Sequence, residues 1–139
     1  MRAIPSAIAG VVELVPDRAA DARGFFSVTF SLDDLAAAGI AERHWVQDNH
    51  AFSAARHTVR GLHFQAPPAA QAKLVRVVRG AIFDVAVDLR RASPSYGRHT
   101  AIRVSAAAWN QVFVPAGFAH GYCTLEPDTE VLYKVSHAY

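Results

Sequence analysis

Most of this chain consists of short apolar segments of four to nine residues, alternating in polarity with period two and separated by turn residues. Side chains alternate across a strand, so such segments form half-buried strands and do not form a helical bundle. The pattern predicts strands over Ala7–Val15, Gly24–Phe30, His44–Asn49, Val59–Gln65 and Lys73–Arg79. It continues over Ala81–Leu89, Thr100–Ser105, Gln111–Val114, Gly121–Leu125 and Glu130–Val135. Arg79-Gly80 reads as a tight hairpin turn. One short helix is expected over Leu32–Ala38, capped by Ser31, with Asp33 and Asp34 in its first turn and Gly39 at its end. Strands this many and this evenly spaced exclude an α/β fold and point to an all-β sandwich or barrel.

A length of 139 residues suits one domain, 1–139, and apolar types at 52% are enough for a sizeable core. Net charge is only +2 and no basic run stands out, which argues against a nucleic-acid groove. Arginine occurs 12 times against two lysines, Lys73 and Lys134. Its planar fork suits phosphate and carboxylate, while the plainer reading of the excess is a GC-rich codon bias, which favours Arg and Ala. Cys123 is the only cysteine, which excludes an intramolecular disulfide and a thiolate metal cluster. There is no 18-residue apolar run, and Pro5 and Glu13 interrupt the apolar start. The expectation is a soluble, cytoplasmic protein without a membrane partner.

Chemistry concentrates in three places. In Val114-Pro115-Ala116-Gly117-Phe118-Ala119-His120, Pro and Gly set a tight turn that delivers His120 onto a strand. The Pro-x-Gly-x-x-His spacing resembles the second motif of the cupin superfamily. Upstream, Arg60-Gly61-Leu62-His63-Phe64-Gln65 offers a second imidazole. A catalytic metal needs three or four ligands. Position 65 is Gln, and no Glu occurs between Ala51 and Leu125, so no metal is expected. Alternation places Lys73 on the face of Val75 and Val77, and Tyr133 on the face of Val131 and Val135. An inward ammonium is costly unless paired or used. His63 as base, Lys73 as cation for a developing oxyanion and Tyr133 as phenolic acid form the set needed to move a proton beside a carbonyl.

Several further motifs extend the pattern. They are Asp21-Ala22-Arg23-Gly24-Phe25-Phe26, Gln47-Asp48-Asn49, Gln71-Ala72-Lys73-Leu74-Val75, Phe83-Asp84-Val85-Ala86-Val87-Asp88 and Leu132-Tyr133-Lys134. With these in order, the chain resembles the dTDP-4-dehydrorhamnose 3,5-epimerases, the RmlC-type cupins of deoxysugar synthesis. The resemblance implies a cupin-type jelly-roll β-sandwich or barrel with one short helix, a homodimer and no cofactor. It implies a dTDP-4-dehydro-6-deoxyhexose substrate, inverted at C3, C5 or both. His63 would be the general base, Tyr133 the proton donor, and Lys73 would lie near the C4 oxygen. Arg23 and Arg60 would hold the diphosphate, Phe26, Gln47, Asn49 and His120 would contact substrate, and Tyr139 would stack on thymine. In an unbroken strand Arg60 and His63 have opposite parity, so both serve one ligand only if Gly61 marks a bulge or the ligand wraps an edge.

The chain departs from the family at Val28, where the family carries Glu. The family also continues beyond residue 139, into a part that carries the carboxylate paired with the catalytic histidine. Asp84 is expected to take that role. Two other readings stay open here: an isomerase or cyclase acting on a different carbonyl compound, and an inactive, truncated sugar-nucleotide-binding homologue.

Overall fold

The computed structural model describes residues 1–139. In chain order the strands are β1 (Arg2–Pro5), β2 (Val12–Val15), β3 (Ala19–Asp21), β4 (Gly24–Phe26), β5 (Gln47–Ser53) and β6 (Val59–His63). They continue with β7 (Lys73–Arg79), β8 (Ala81–Asp88), β9 (His99–Ser105), β10 (Gln111–Val114), β11 (Phe118–Thr124) and β12 (Thr129–Val135). One helix, α1 (Leu32–Ala37), lies between β4 and β5. A six-stranded sheet, in the order β1-β2-β10-β7-β12-β5, faces a four-stranded sheet, β6-β11-β8-β9, while β3 and β4 pair only with each other.

Period-two alternation builds two cores from the six-stranded sheet. Its inner face contributes Val75, Val77, Val112, Val114 and Val131, which meet Ile82, Ala86, Val104, Phe118 and Tyr122 of the other sheet. Its outer face carries Leu14, Leu74 and Phe113, which are covered by Leu35 of α1 and by Ile40. The helix forms where its signals lie. The Ser31 hydroxyl accepts from Asp34 N, and Gly39 follows at φ +80°.

The expectation of a cupin-type jelly-roll β-sandwich or barrel is corrected by the strand order. The fold is an all-β sandwich of three open sheets, with no ladder joining the two large ones. They part at the β5 and β6 edges, where Asn49, Arg60, His63 and Lys73 face a common space. Polar side chains of this kind cannot form a dry seam without losing hydration.

Several local expectations also change: β1 was not expected, the strand predicted over Gly24–Phe30 ends at Phe26, and that over His44–Asn49 runs over Gln47–Ser53. Ala7–Val15 is not one strand: the chain turns at Ile8–Val11, with Gly10 at φ +100°, and returns antiparallel as β2. Arg79-Gly80 is not a hairpin, because β7 and β8 belong to different sheets. Gly80, at φ +79°, is instead the corner where the chain changes sheet, and a Cβ there would strike the Thr129 side chain. Alternation alone does not distinguish such a corner from a hairpin. Finally, β3 was not expected, because Ala19–Asp21 has no apolar face to mark it.

Candidate active site

A cleft opens between the sheets on the side of β5 and β6. One lobe, of about 290 Å³, is lined by Asn49, His63, Gln65, Gln71, Lys73, Tyr133 and Tyr139, among others. The adjoining lobe, of about 470 Å³, shares His63, Lys73 and Tyr133 and adds Arg60, His120 and Tyr122. Residues far apart in sequence therefore converge on one space.

Of the two ways to bring Arg60 and His63 to one ligand, the structure has the bulge at Gly61. Tyr122 pairs with Arg60 and His120 with His63, so three residue steps on β6 match two on β11. The slip turns Arg60 and His63 to the same cleft. It depends on glycine: Gly61 has φ +113°, and a Cβ would stand 2.7 Å from Gly121 Cα and 2.8 Å from the His120 carbonyl oxygen. Arg60 is steadied on β5, donating from Nε to Ser53 Oγ (3.2 Å) and from Nη2 to the Phe52 carbonyl (2.9 Å). It has no carboxylate partner, which leaves its charge available to an anion.

Lys73 lies half-buried at the start of β7. Burial pushes its ammonium below the ordinary lysine value, and the negative charge of Asp84 opposes the shift. Asp84 is itself committed elsewhere. Its Oδ2 lies 2.7 Å from His120 Nε2, and both side chains are buried. The carboxylate expected to orient His63 thus pairs with His120 instead. The reason is topological: β11 lies between β6 and β8, so Asp84 faces β11 and not the strand that carries His63.

At the opposite wall Tyr133 is in register with Asn49 and Val75. Gln47 donates from Nε2 to Asn49 Oδ1 (2.7 Å) and accepts from the Tyr139 backbone N–H (3.2 Å). Tyr139 borders the cleft, although its side chain is fully exposed. Gln71 donates to Gln65 Oε1 (3.2 Å) and to the His137 carbonyl (2.6 Å), which ties the end of the chain to the cleft floor.

Two expected substrate contacts are not brought to this cleft. Arg23 stands on the β3–β4 hairpin with its side chain 91% exposed, paired with Asp21. Phe26, on the same hairpin, is 73% exposed. Gln71 and Tyr122 line the cleft and were missed. Tyr122 had a signal, since it lies two residues after His120 and so on the same strand face. No three His, Cys, Asp or Glu side chains are placed to hold a metal ion, and no helix is long and apolar enough to cross a membrane.

The sequence profile of the dTDP-4-dehydrorhamnose 3,5-epimerases matches residues 5–139. The chain belongs to the dTDP-4-dehydrorhamnose 3,5-epimerase family. It is thus an enzyme of the carbohydrate epimerase class. It is 48% identical over 132 residues to dTDP-4-dehydrorhamnose 3,5-epimerase of Sinorhizobium fredii, covering 95% of this chain and 67% of that one. The crystal structure of the Bacillus anthracis 3,5-epimerase with TDP and PPi bound is 43% identical. It superposes with a TM-score of 0.95 over 99% of this chain and 78% of its own. A Legionella pneumophila dTDP-6-deoxy-D-glucose 3,5-epimerase in complex with dTDP-4-keto-L-rhamnose is 36% identical. Its TM-score is 0.92, over 99% of this chain and 72% of its own. The chain therefore spans about two thirds to three quarters of the family members it matches here.

Proposed function

We propose that the chain inverts C3, C5 or both of a dTDP-4-dehydro-6-deoxyhexose, in deoxysugar biosynthesis, by removing a proton beside the C4 ketone and returning one to the opposite face. The observation that carries this reading is the convergence of His63, Lys73 and Tyr133 on one cleft, with His63 and Tyr133 on different sheets. A hexose between those walls has a base on one face and a phenolic acid on the other. In this reading His63 takes the proton, Lys73 stabilises the enolate oxygen at C4, and Tyr133 reprotonates the carbon. No group beyond these side chains enters the scheme. Arg60 takes the diphosphate, and Gln47, Asn49, His120 and Tyr139 contact the substrate. Asp84 holds His120 in place.

The test is proton exchange in D₂O, followed by NMR at C3 and C5 of dTDP-4-dehydro-6-deoxyglucose. Exchange at both carbons is expected. Exchange at C3 alone would make the enzyme regioselective. A folded protein that binds dTDP and exchanges neither proton would overturn the reading in favour of a sugar-nucleotide binder.

A homodimer accounts for Arg23 and Phe26. The β3–β4 hairpin exposes Phe25 and Phe26, with Val28 exposed just beyond it, and none of them lines the cleft of their own chain. In this reading the hairpin of one copy reaches the cleft of the other, and Arg23 and Phe26 contact the substrate there. Sedimentation equilibrium is expected to give twice the chain mass, and a monomer at assay concentration would contradict the arrangement.

A further inference from the structure

Tyr122 is the unexplained group in the cleft. It is only 8% exposed, and its hydroxyl has no hydrogen-bond partner. Its neighbours across the sheet are Arg60 on β6 and Asp84 on β8. Neither serves it: Asp84 is bonded to His120, and Arg60 donates to Ser53 and Phe52. Its ring belongs to the core cluster with Val75, Ala86 and Val131, against which the cleft residue Tyr133 also packs. A phenylalanine would fill the same space without burying an unpaired oxygen, and such an oxygen opposes folding. The protein thus carries a buried hydroxyl that its own fold does not use. Burial also pushes that hydroxyl above the ordinary tyrosine range, despite the charge of Arg60, so it remains a neutral donor.

Tyr122 forms part of the wall that also carries Arg60, His63, Lys73, His120 and Tyr133. We infer that the Tyr122 hydroxyl is a recognition group for the hexose, its missing partner being an oxygen of the sugar seated against that wall. The inference rests on the reading of the cleft as a dTDP-hexose site. Tyr122 lies across from Arg60 on one side and Asp84 on the other; with Arg60 assigned to the diphosphate, Tyr122 is assigned to the sugar beside it.

The experiment compares wild type with Tyr122→Phe, titrating each calorimetrically with dTDP and with dTDP-6-deoxyglucose, whose C4 alcohol cannot enolise. The variant should bind dTDP-6-deoxyglucose about tenfold more weakly, the worth of one hydrogen bond. Its dTDP affinity should stay within about twofold, and its thermal midpoint should equal or exceed that of wild type. Parallel weakening of both ligands would reduce Tyr122 to a structural residue. Unchanged affinity for both would remove the contact. A lower thermal midpoint would mean that the hydroxyl already has a partner in the free protein, which also overturns the inference. Proton exchange by wild type is measured alongside. If wild type exchanges and binds while Tyr122→Phe does not differ from it, this inference alone fails. If wild type binds neither nucleotide, the reading of the cleft fails and takes the inference with it.

Discussion

Exchange of the C3 and C5 protons in D₂O is expected to fall by about 10²–10⁴-fold when His63 is replaced by alanine, the usual worth of a positioned general base. His63 ends β6 on the exposed wall of the cleft, so its removal opens no core cavity. Thermal stability should therefore stay within about 0.5 kcal/mol of wild type, as for surface substitutions generally. dTDP affinity should also persist, because the groups assigned to the diphosphate and thymine are untouched. A loss of exchange with binding and folding intact places His63 in the chemical step. A variant that still exchanges within tenfold of wild type would place the base elsewhere, with His120 the next imidazole in the cleft. His120 is the weaker candidate because its Nε2 already engages Asp84.

The largest effect on stability is expected at Asp88, which is 0% exposed at the end of β8. Its Oδ1 accepts from the Arg90 backbone N–H and Nε, both at 2.9 Å. Its Oδ2 accepts from Arg90 Nη2 (2.8 Å), Ser93 Oγ (2.6 Å) and Ser95 Oγ (2.6 Å). Asp88→Ala would strand a guanidinium and two hydroxyls. Breaking a buried ion pair from one side costs about 3–5 kcal/mol, and the partial exposure of Arg90 favours the lower end. Urea denaturation of the two proteins measures the difference, and a loss below about 1 kcal/mol would contradict the assignment. The Arg90 guanidinium beside Asp88 holds the carboxyl well below the usual carboxylate range; burial opposes this, and Ser93 and Ser95 reinforce it. A depressed folded-state pKa means that the stabilisation is fully present above the unfolded value, about 3.9. It is lost as pH falls below that value toward the folded one. Wild type should thus lose stability below about pH 4 more steeply than Asp88→Ala does. The effect reaches the cleft, because Arg90 stacks over Phe118 (4.6 Å) and Leu89 N–H donates to the Gly117 carbonyl. Both contacts hold the turn that delivers His120.

Lys73–Arg79 and Gln111–Val114 were legible in full, and the helix at Ser31 to within one residue at its end. Their apolar residues fall at one period, and each signal is local. Parity on β7 and β12 also placed Lys73 and Tyr133 inward, and the opposite parity of Arg60 and His63 pointed to a bulge at Gly61 as one of two ways to bring both to one ligand. The corner at Gly80 was misread, because a turn has the same composition whether it joins two strands of one sheet or passes between sheets. Asp84 was assigned to the wrong histidine for a related reason, since its neighbour depends on the insertion of β11 between β6 and β8.

The sequence by itself determined which face of its strand Lys73 and Tyr133 each occupy, since side-chain direction follows from local backbone geometry. Only the tertiary structure decided who meets whom. It opened the sheets at β5 and β6, left Arg23 and Phe26 outside the cleft, gave Asp84 to His120 and buried the Tyr122 hydroxyl without a partner. These outcomes depend on strand order and on contacts between residues far apart in the chain, and the order of residues along one strand does not encode them.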